Sequence, residues 1–173
     1  MKKIAVLFAD GTEELEALTP VDLLRRAGAD CKIVSVQNEY LTGSHAITVK
    51  SDMNIDDACA DDFDAVVIPG GMPGAENISN NALALSFIKD MINKNKLIAS
   101  ICASPAVVLS RNGLLVDKNA TCYPAPQFVD ILGACYTGAD VEKDGNYISA
   151  NGPKSAFKFS LAISEYLGLK INF

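Results

Sequence analysis

Short runs of almost continuous apolar residues recur along the chain and limit the folds that it can adopt. Each run has the length of a strand and is rich in Val, Ile, Leu or Ala; they cover residues 3–8, 31–36, 65–69 and 97–101. Continuous rather than alternating apolarity is typical of strands buried on both faces. The sequence therefore predicts a mainly parallel, doubly wound α/β sheet with helices on both faces. Residues 41–54 alternate in polarity instead and predict a small antiparallel excursion.

Three of the intervening segments have the apolar spacing of helices. They cover residues 13–27, 82–93 and 154–167. Pro20 is predicted to kink the first helix or to divide it in two. We expect Leu83 and Ile88 to lie on the buried stripe of the second helix, and Phe157 and Leu161 on that of the third.

The length and charge of the chain narrow the classes of protein to consider. Its 173 residues suit a single domain over residues 1–173. A net charge of -6 argues against a surface that neutralises phosphates, so we expect no nucleic-acid partner. Asp10 and the acidic run 13–16 interrupt the first apolar stretch, so neither a signal peptide nor a membrane span is predicted.

The cysteines indicate free thiols. There are five, at irregular spacings and without a CxxC pair, and the chain has only one histidine. This composition disfavours both a disulfide scaffold and a zinc site, so no metal is expected. It suits a reducing, cytoplasmic setting, in which an accessible thiol stays available for reaction.

Cys102 lies at the tightest predicted turn in the chain. The strand 97–101 ends directly before it, and a helix with Pro105 in its first turn follows. A strand that turns directly into a helix holds its central residue in strained geometry and requires small neighbours, here Ser100 and Ser104. We expect Cys102 to be a nucleophile whose pKa is lowered by the positive end of the helix dipole.

An acidic loop follows the first strand, at the sheet edge where ligands bind in open parallel sheets. It places Glu13, Glu14 and Glu16 in the opening turns of a helix. Acidic residues are favoured there because they offset the helix dipole, and we interpret Glu13 and Glu14 in that way. Glu16 lies one turn further in, and we predict that it exchanges a proton with Cys102.

Two further features are weaker signals. The paired Gly70 and Gly71 follow the strand 65–69, and their backbone N–H groups could hold an oxyanion. The glycine segment lacks the Lys and Ser/Thr of a phosphate loop, so no nucleotide cofactor is predicted. His45 is the only candidate for the base of a Cys-His pair, although a lone histidine is more often a surface residue.

Four motifs closely resemble those of the ThiJ/PfpI superfamily, in order and spacing: DGTEELEALTPVDLLRRAG, DAVVIPGGMPGA, LIASICASPAVVL and NGPKSAFKFSLAI. They are most similar to the branch of the parkinsonism-associated deglycase and its bacterial YajL-type relatives. The resemblance implies a flavodoxin-like sandwich, usually a homodimer. It also implies a reactive Cys102, an acid-base partner at Glu16, and an oxyanion pocket formed by the backbone of Gly71 and Ala103.

Three positions depart from the patterns of that superfamily. Tyr123 stands where relatives in this branch carry histidine, and His45 aligns with an arginine of some relatives. Ala103 stands where protease members carry histidine, which argues against peptidase activity. The polar side chain that assists the Cys102 thiol could therefore be Tyr123, His45 or Cys122.

The residues and the resemblance together leave two functions open. In the first, Cys102 attacks a 2-oxoaldehyde such as methylglyoxal, or a glycated protein side chain, and Glu16 moves the protons without any cofactor. The protein would then be a glyoxalase or a deglycase. In the alternative, the protein is an oxidative-stress sensor or redox-regulated chaperone in which Cys102 is oxidised to a sulfinate without turnover. Cys122 would then be a second thiol able to trap a sulfenic acid.

Overall fold

A computed structural model describes all 173 residues of the chain. Nine strands follow in chain order: β1 (Lys3–Phe8), β2 (Asp30–Ser35), β3 (Tyr40–Thr42), β4 (Thr48–Lys50), β5 (Met53–Asn54), β6 (Ala65–Ile68), β7 (Leu97–Ile101), β8 (Val141–Asp144) and β9 (Tyr147–Ala150). The four strands predicted from continuous apolar runs are all present, as β1, β2, β6 and β7. Short strands β8 and β9, which lie in a less apolar part of the chain, were not predicted.

Five α-helices connect and cover the strands: α1 (Glu14–Arg26), α2 (Gly74–Ser79), α3 (Ala82–Asn93), α4 (Pro126–Leu132) and α5 (Ala156–Tyr166). A π-helix (Pro105–Ser110) follows β7. The helix α1 continues through Pro20, so the predicted division at that residue is wrong. None of the helices combines the length and the apolarity needed to cross a membrane.

Seven strands form one sheet in the order β5-β2-β1-β6-β7-β9-β8. Every neighbouring pair is parallel except β8 and β9, which are antiparallel. The order reverses direction next to β1, as in a doubly wound sheet. The strands β3 and β4 form a separate antiparallel hairpin, which is the predicted excursion. The predicted α/β fold class is confirmed.

Both faces of the sheet are buried, which explains the continuous apolarity of its central strands. In β1, Ile4, Val6 and Phe8 point into a cluster of 22 buried residues that includes side chains of α1 and α5. The alternate residues Ala5 and Leu7 point into an equally large cluster that includes side chains of α3. Because successive side chains of a strand point to opposite faces, two apolar layers require an apolar residue at every position.

Some apolar residues predicted to be buried lie on the surface. Leu83 on α3 is 53% exposed, while Ile88 on the same helix is fully buried. On α5, Phe157 and Leu161 are 48% and 42% exposed. These helices pack on the sheet through a narrower stripe than their composition indicates, because each touches the core on one side only.

The difference between Ile88 and Leu83 gives a test of this packing. We expect Ile88→Ala to lower the free energy of unfolding by about 2–5 kcal/mol, because it leaves a cavity in a close-packed core. The matched variant Leu83→Ala, on the solvent side of the same helix, should change it by less than about 0.5 kcal/mol. Urea denaturation of the two variants measures both values, and equal losses would contradict the packing described for α3.

Candidate active site

Cys102 occupies the turn between β7 and the π-helix, as the sequence predicted. Its φ angle is 64°, in the left-handed region that residues with a side chain rarely adopt. Two backbone hydrogen bonds fix this conformation: the N–H of Cys102 donates to the C=O of Ala150 at 2.9 Å, and its C=O accepts from Tyr123 N–H at 2.8 Å. Strained backbone held in this way is characteristic of functional sites.

The neighbours of Cys102 are small because the turn leaves no room for larger side chains. Ser100 and Ser104 are buried, and the Ser104 hydroxyl donates to the C=O of Pro69 at 2.5 Å. A Cβ atom on Gly70 would lie 2.7 Å from the Cβ of Cys102 and 2.8 Å from Glu16 Oε2. Only glycine at position 70 therefore lets the thiol and the carboxyl approach each other.

The carboxyl group of Glu16 is completely buried beside this turn. Its Oε2 accepts a hydrogen bond of 2.8 Å from the N–H of Gly70. The thiol of Cys102 interacts with the same carboxyl group, yet Oε1 has no hydrogen-bond partner of good geometry. A buried oxygen without a donor is better suited to a carboxylic acid than to a carboxylate, because a charge there lacks compensation.

Burial raises the pKa of Glu16 from 4.5 to about 7. Hydrogen bonds from the Cys102 thiol and the Gly70 N–H oppose this rise, while the negative charge of Glu13 adds to it. Glu16 therefore changes its protonation state close to neutral pH. This is the range in which a carboxyl group works best as both an acid and a base.

The pKa of the Cys102 thiol is raised, so the expected lowering by a helix dipole is wrong. Burial is the largest cause, followed by the charge of Glu16 and its hydrogen bond to the thiol. The N–H groups of Gly71 and Ala103 lower the thiol pKa but do not outweigh these effects. The six-residue π-helix begins three residues after Cys102, which leaves the local amides rather than an α-helix dipole to stabilise a thiolate.

These effects couple the protonation of the Cys102 thiol to that of the Glu16 carboxyl group. Two of the causes that raise the thiol pKa, the charge and the hydrogen bond of Glu16, depend on an ionised Glu16. When the carboxyl group takes a proton, the charge opposing the thiolate disappears, and the amides of Gly71 and Ala103 remain. That the pair shares one proton between sulfur and carboxyl oxygen stays a prediction.

The glycine loop after β6 is fixed against the start of α1. Gly71 has a φ angle of 85°, and a Cβ atom there would lie 2.3 Å from the backbone nitrogen of Glu13. The N–H of Glu13 donates to the C=O of Gly70 at 3.0 Å. The structure thus brings the predicted Gly71 and Ala103 amide groups to the Cys102 sulfur, and their role as an oxyanion pocket stays a prediction. The Gly70 N–H instead donates to Glu16 Oε2, so the predicted oxyanion role of Gly70 is wrong.

The three auxiliary candidates occupy different positions. The backbone N–H of Tyr123 donates a hydrogen bond to the C=O of Cys102. The Tyr123 ring is half-exposed and lies beside Gly152, where an added Cβ atom would be 3.2 Å from the ring. The Cys122 side chain is buried, and burial raises its pKa to about 11. His45 instead contacts two other acidic residues: its Nδ1 lies 3.2 Å from Glu13 Oε2 and 3.1 Å from Glu14 Oε2.

Glu13 and Glu14 do more than offset the helix dipole, and the sequence interpretation missed this. Glu13 caps α1 through the N–H of Leu15 at 3.3 Å and contributes its charge to the Glu16 environment. Glu14 accepts the backbone N–H of His45 at 2.8 Å and thereby anchors the β3–β4 hairpin. Three acidic residues within four positions were the available signal. His45, the partner of Glu13 and Glu14 in the hairpin, is more than thirty residues away in sequence, so this contact could not be read from it.

Comparison with known proteins identifies the family. The sequence profile of the DJ-1/PfpI family matches residues 2–166. The chain is 37% identical to protein DJ-1 homolog B of Arabidopsis thaliana over 169 residues, covering 96% of this chain and 38% of that relative. It therefore spans less than half the length of this plant relative. A deglycase of Thermococcus kodakarensis is 34% identical over 87% of this chain and 90% of its own.

A solved structure agrees with this assignment. Oxidised Toxoplasma gondii DJ-1 superposes with a TM-score of 0.91 and 39% identity, over 96% of this chain and 91% of that chain. The resemblance seen in the four motifs is thus confirmed across nearly the whole sequence, and the flavodoxin-like fold class with it. The chain belongs to the DJ-1/PfpI family.

Proposed function

We propose that this protein is a cofactor-independent enzyme that uses Cys102 and Glu16 on 2-oxoaldehydes such as methylglyoxal, or on glycated protein side chains. The observation that carries the proposal is the pairing of the partly buried Cys102 thiol with the fully buried Glu16 carboxyl group, whose pKa of about 7 suits it to act as both base and acid. Membership of a family with a deglycase-named relative at 34% identity supports it.

In the first step, the sulfur of Cys102 attacks the aldehyde carbon while Glu16 takes the thiol proton. The developing oxyanion accepts hydrogen bonds from the N–H groups of Gly71 and Ala103, which already point toward the sulfur. Protonation of this oxygen gives a hemithioacetal. This step replaces the S–H bond of Cys102 with an S–C bond, and it needs no oxidant, reductant or metal.

In the second step, Glu16 removes the proton from the former aldehyde carbon and returns one to the neighbouring ketone carbon, while the hydroxyl proton of the hemithioacetal moves to the former ketone oxygen. This isomerises the hemithioacetal to a 2-hydroxy thioester with no net change in atoms. Water then cleaves the thioester, which releases the 2-hydroxy acid and restores the thiol of Cys102. For methylglyoxal the product is lactate, and the net reaction consumes one water.

The same attack applies to protein adducts of 2-oxoaldehydes. An adduct on cysteine, lysine or arginine retains the former aldehyde carbon, and release of the side chain regenerates an aldehyde that Cys102 can capture. Ala103, directly after the nucleophile, supplies no imidazole for a peptidase mechanism. The sensor alternative gains no support from Cys122, because a buried thiol with a raised pKa is a poor partner for a sulfenic acid.

We propose in addition that two copies associate through the face formed by α1 and α5. This face exposes apolar side chains, among them Leu15 at 58% and Phe157 at 48%, and the rings of Phe157 and Phe173 stack with centroids 6.2 Å apart. Apolar side chains exposed together on one face favour association through that face. A cytoplasmic location, inferred from the cysteine pattern, stays a prediction.

Sedimentation velocity tests the association. We expect the wild type to sediment with about twice the 18.4 kDa mass of one chain, and Phe157→Glu to shift it toward the monomer, because a charge would be buried at the interface. The control Leu83→Glu, on the exposed side of α3, should leave the dimer intact. A monomeric wild type, or equal dissociation in both variants, would contradict the proposed face.

The enzymatic proposal is tested by methylglyoxal consumption with thiols kept reduced and the product identified as lactate. We expect Cys102→Ala to abolish turnover, because no nucleophile remains. We expect Glu16→Gln to reduce it by at least about a hundredfold, because an amide cannot move the proton.

Cys59→Ala provides the matched control, because Cys59 is an exposed thiol outside the site. It should retain full turnover. Failure of the wild type to form lactate would overturn the glyoxalase proposal, and undiminished activity of Glu16→Gln would overturn the proton shuttle. Circular dichroism of each variant separates loss of chemistry from loss of fold.

A further inference from the structure

Two buried carboxylates and the only histidine of the chain meet at the start of α1. The β3–β4 hairpin folds over this point, and its tip places His45 against Glu13 and Glu14. Glu13 and Glu14 are 8% and 4% exposed, whereas the imidazole of His45 is largely in solvent. One donor atom from each residue lies within 4.8 Å of the other two.

The charges in this cluster are not balanced by the protein. Neither Glu13 nor Glu14 has a lysine or arginine within ion-pair distance, and His45 is the partner of both. The Nδ1 atom of His45 lies 3.1–3.2 Å from acceptor oxygens of both carboxylates and 3.1 Å from the Ser44 hydroxyl. The Ser44 hydroxyl also lies 3.2 Å from Glu13 Oε2 and 3.3 Å from Glu14 Oε2, but it has a single proton and no charge. One hydroxyl and one imidazole therefore do not balance two buried carboxylates.

We propose that Glu13, Glu14 and His45 bind a divalent transition-metal cation, with Zn²⁺ as the first ion to test. Ligands bonded to tetrahedral zinc at about 2.0–2.1 Å lie about 3.3 Å from one another. The Nδ1 atom lies 3.2 Å from Glu13 Oε2 and 3.1 Å from Glu14 Oε2, close to that spacing. One imidazole nitrogen with two carboxylate oxygens is a donor set suited to zinc.

The surroundings hold these ligands in place and leave one side open. Glu14 Oε1 accepts the backbone N–H of His45 at 2.8 Å and that of Ile47 at 3.3 Å, which leaves Oε2 facing the imidazole. Hydrogen bonds of this kind orient metal-binding carboxylates. The exposure of His45 leaves a position where water can complete the coordination. Two positive charges on the ion balance both carboxylates.

This site was not expected from the sequence, which lacks paired cysteines and histidines. Glu14 and His45 are 31 residues apart and are brought together only by the hairpin. The inference does not rest on the proposed thiol chemistry, and it holds whether or not the protein turns over methylglyoxal.

The test is a titration of the reduced protein with Zn²⁺, followed by calorimetry and by the ring signals of His45 in nuclear magnetic resonance. Because the chain has a single histidine, these signals report on His45 alone. We expect them to move to a bound position at one equivalent of Zn²⁺. The same change should occur in Cys102→Ser, which excludes zinc binding at that thiol as the cause.

His45→Asn decides the proposal, because this exposed side chain can be replaced without disturbing the fold. It should weaken the corresponding calorimetric binding by about tenfold or more, as should Glu14→Gln. The control Glu76→Gln, which removes a surface partner of Arg111, should leave the affinity unchanged. His45 ring signals that do not respond to excess Zn²⁺, or affinity unchanged in His45→Asn, would overturn the proposal.

Discussion

The burial of one carboxyl group, that of Glu16, determines how the rest of the site is assembled. Glu16 comes from the first turns of α1, and its Oε2 is bonded to the N–H of Gly70, 54 residues later in the chain. The thiol of Cys102 approaches the same carboxyl group from the end of β7. The segments that follow β1, β6 and β7 therefore meet at the Glu16 carboxyl group. The absence of a side chain at Gly70 leaves room for this carboxyl group beside the thiol.

The chemistry of the pair follows from this burial. In a medium of low dielectric constant, two adjacent negative charges are costly, so the site favours one proton shared between sulfur and carboxyl oxygen. The backbone of Cys102 is held in a strained conformation by bonds to Ala150 and Tyr123, so the sulfur has a fixed position relative to that proton. In the proposed mechanism, a thiolate arises by proton transfer to Glu16 rather than through an intrinsically acidic cysteine.

Much of the fold could be predicted because it depends on local sequence. The bounds of β1, β7 and α3 agree with the predicted segments, since continuous apolarity and helical spacing are properties of the chain itself. Cys102 could be found for the same reason, because its strand, its small neighbours and Pro105 are adjacent in sequence.

The remaining features depend on tertiary contacts. The raised pKa of the Cys102 thiol results from burial and from Glu16, neither of which is visible in the residues around position 102. The exposure of Leu83 depends on how α3 sits on the sheet. The contact of His45 with Glu13 and Glu14 depends on a hairpin that closes over α1. The sequence did not predict these three features because residues distant in sequence determine the surroundings of each side chain.

The most direct test of the shared proton is the titration of the Glu16 carboxyl carbon, followed by ¹³C nuclear magnetic resonance in the wild type and in Cys102→Ala. With its pKa raised, Glu16 should remain protonated below about pH 7 and ionise above it. In Cys102→Ala the pKa should rise further, because the thiol hydrogen bond that lowers it is lost. A Glu16 that titrates near its ordinary value of 4.5, unaffected by the loss of the thiol, would contradict the account.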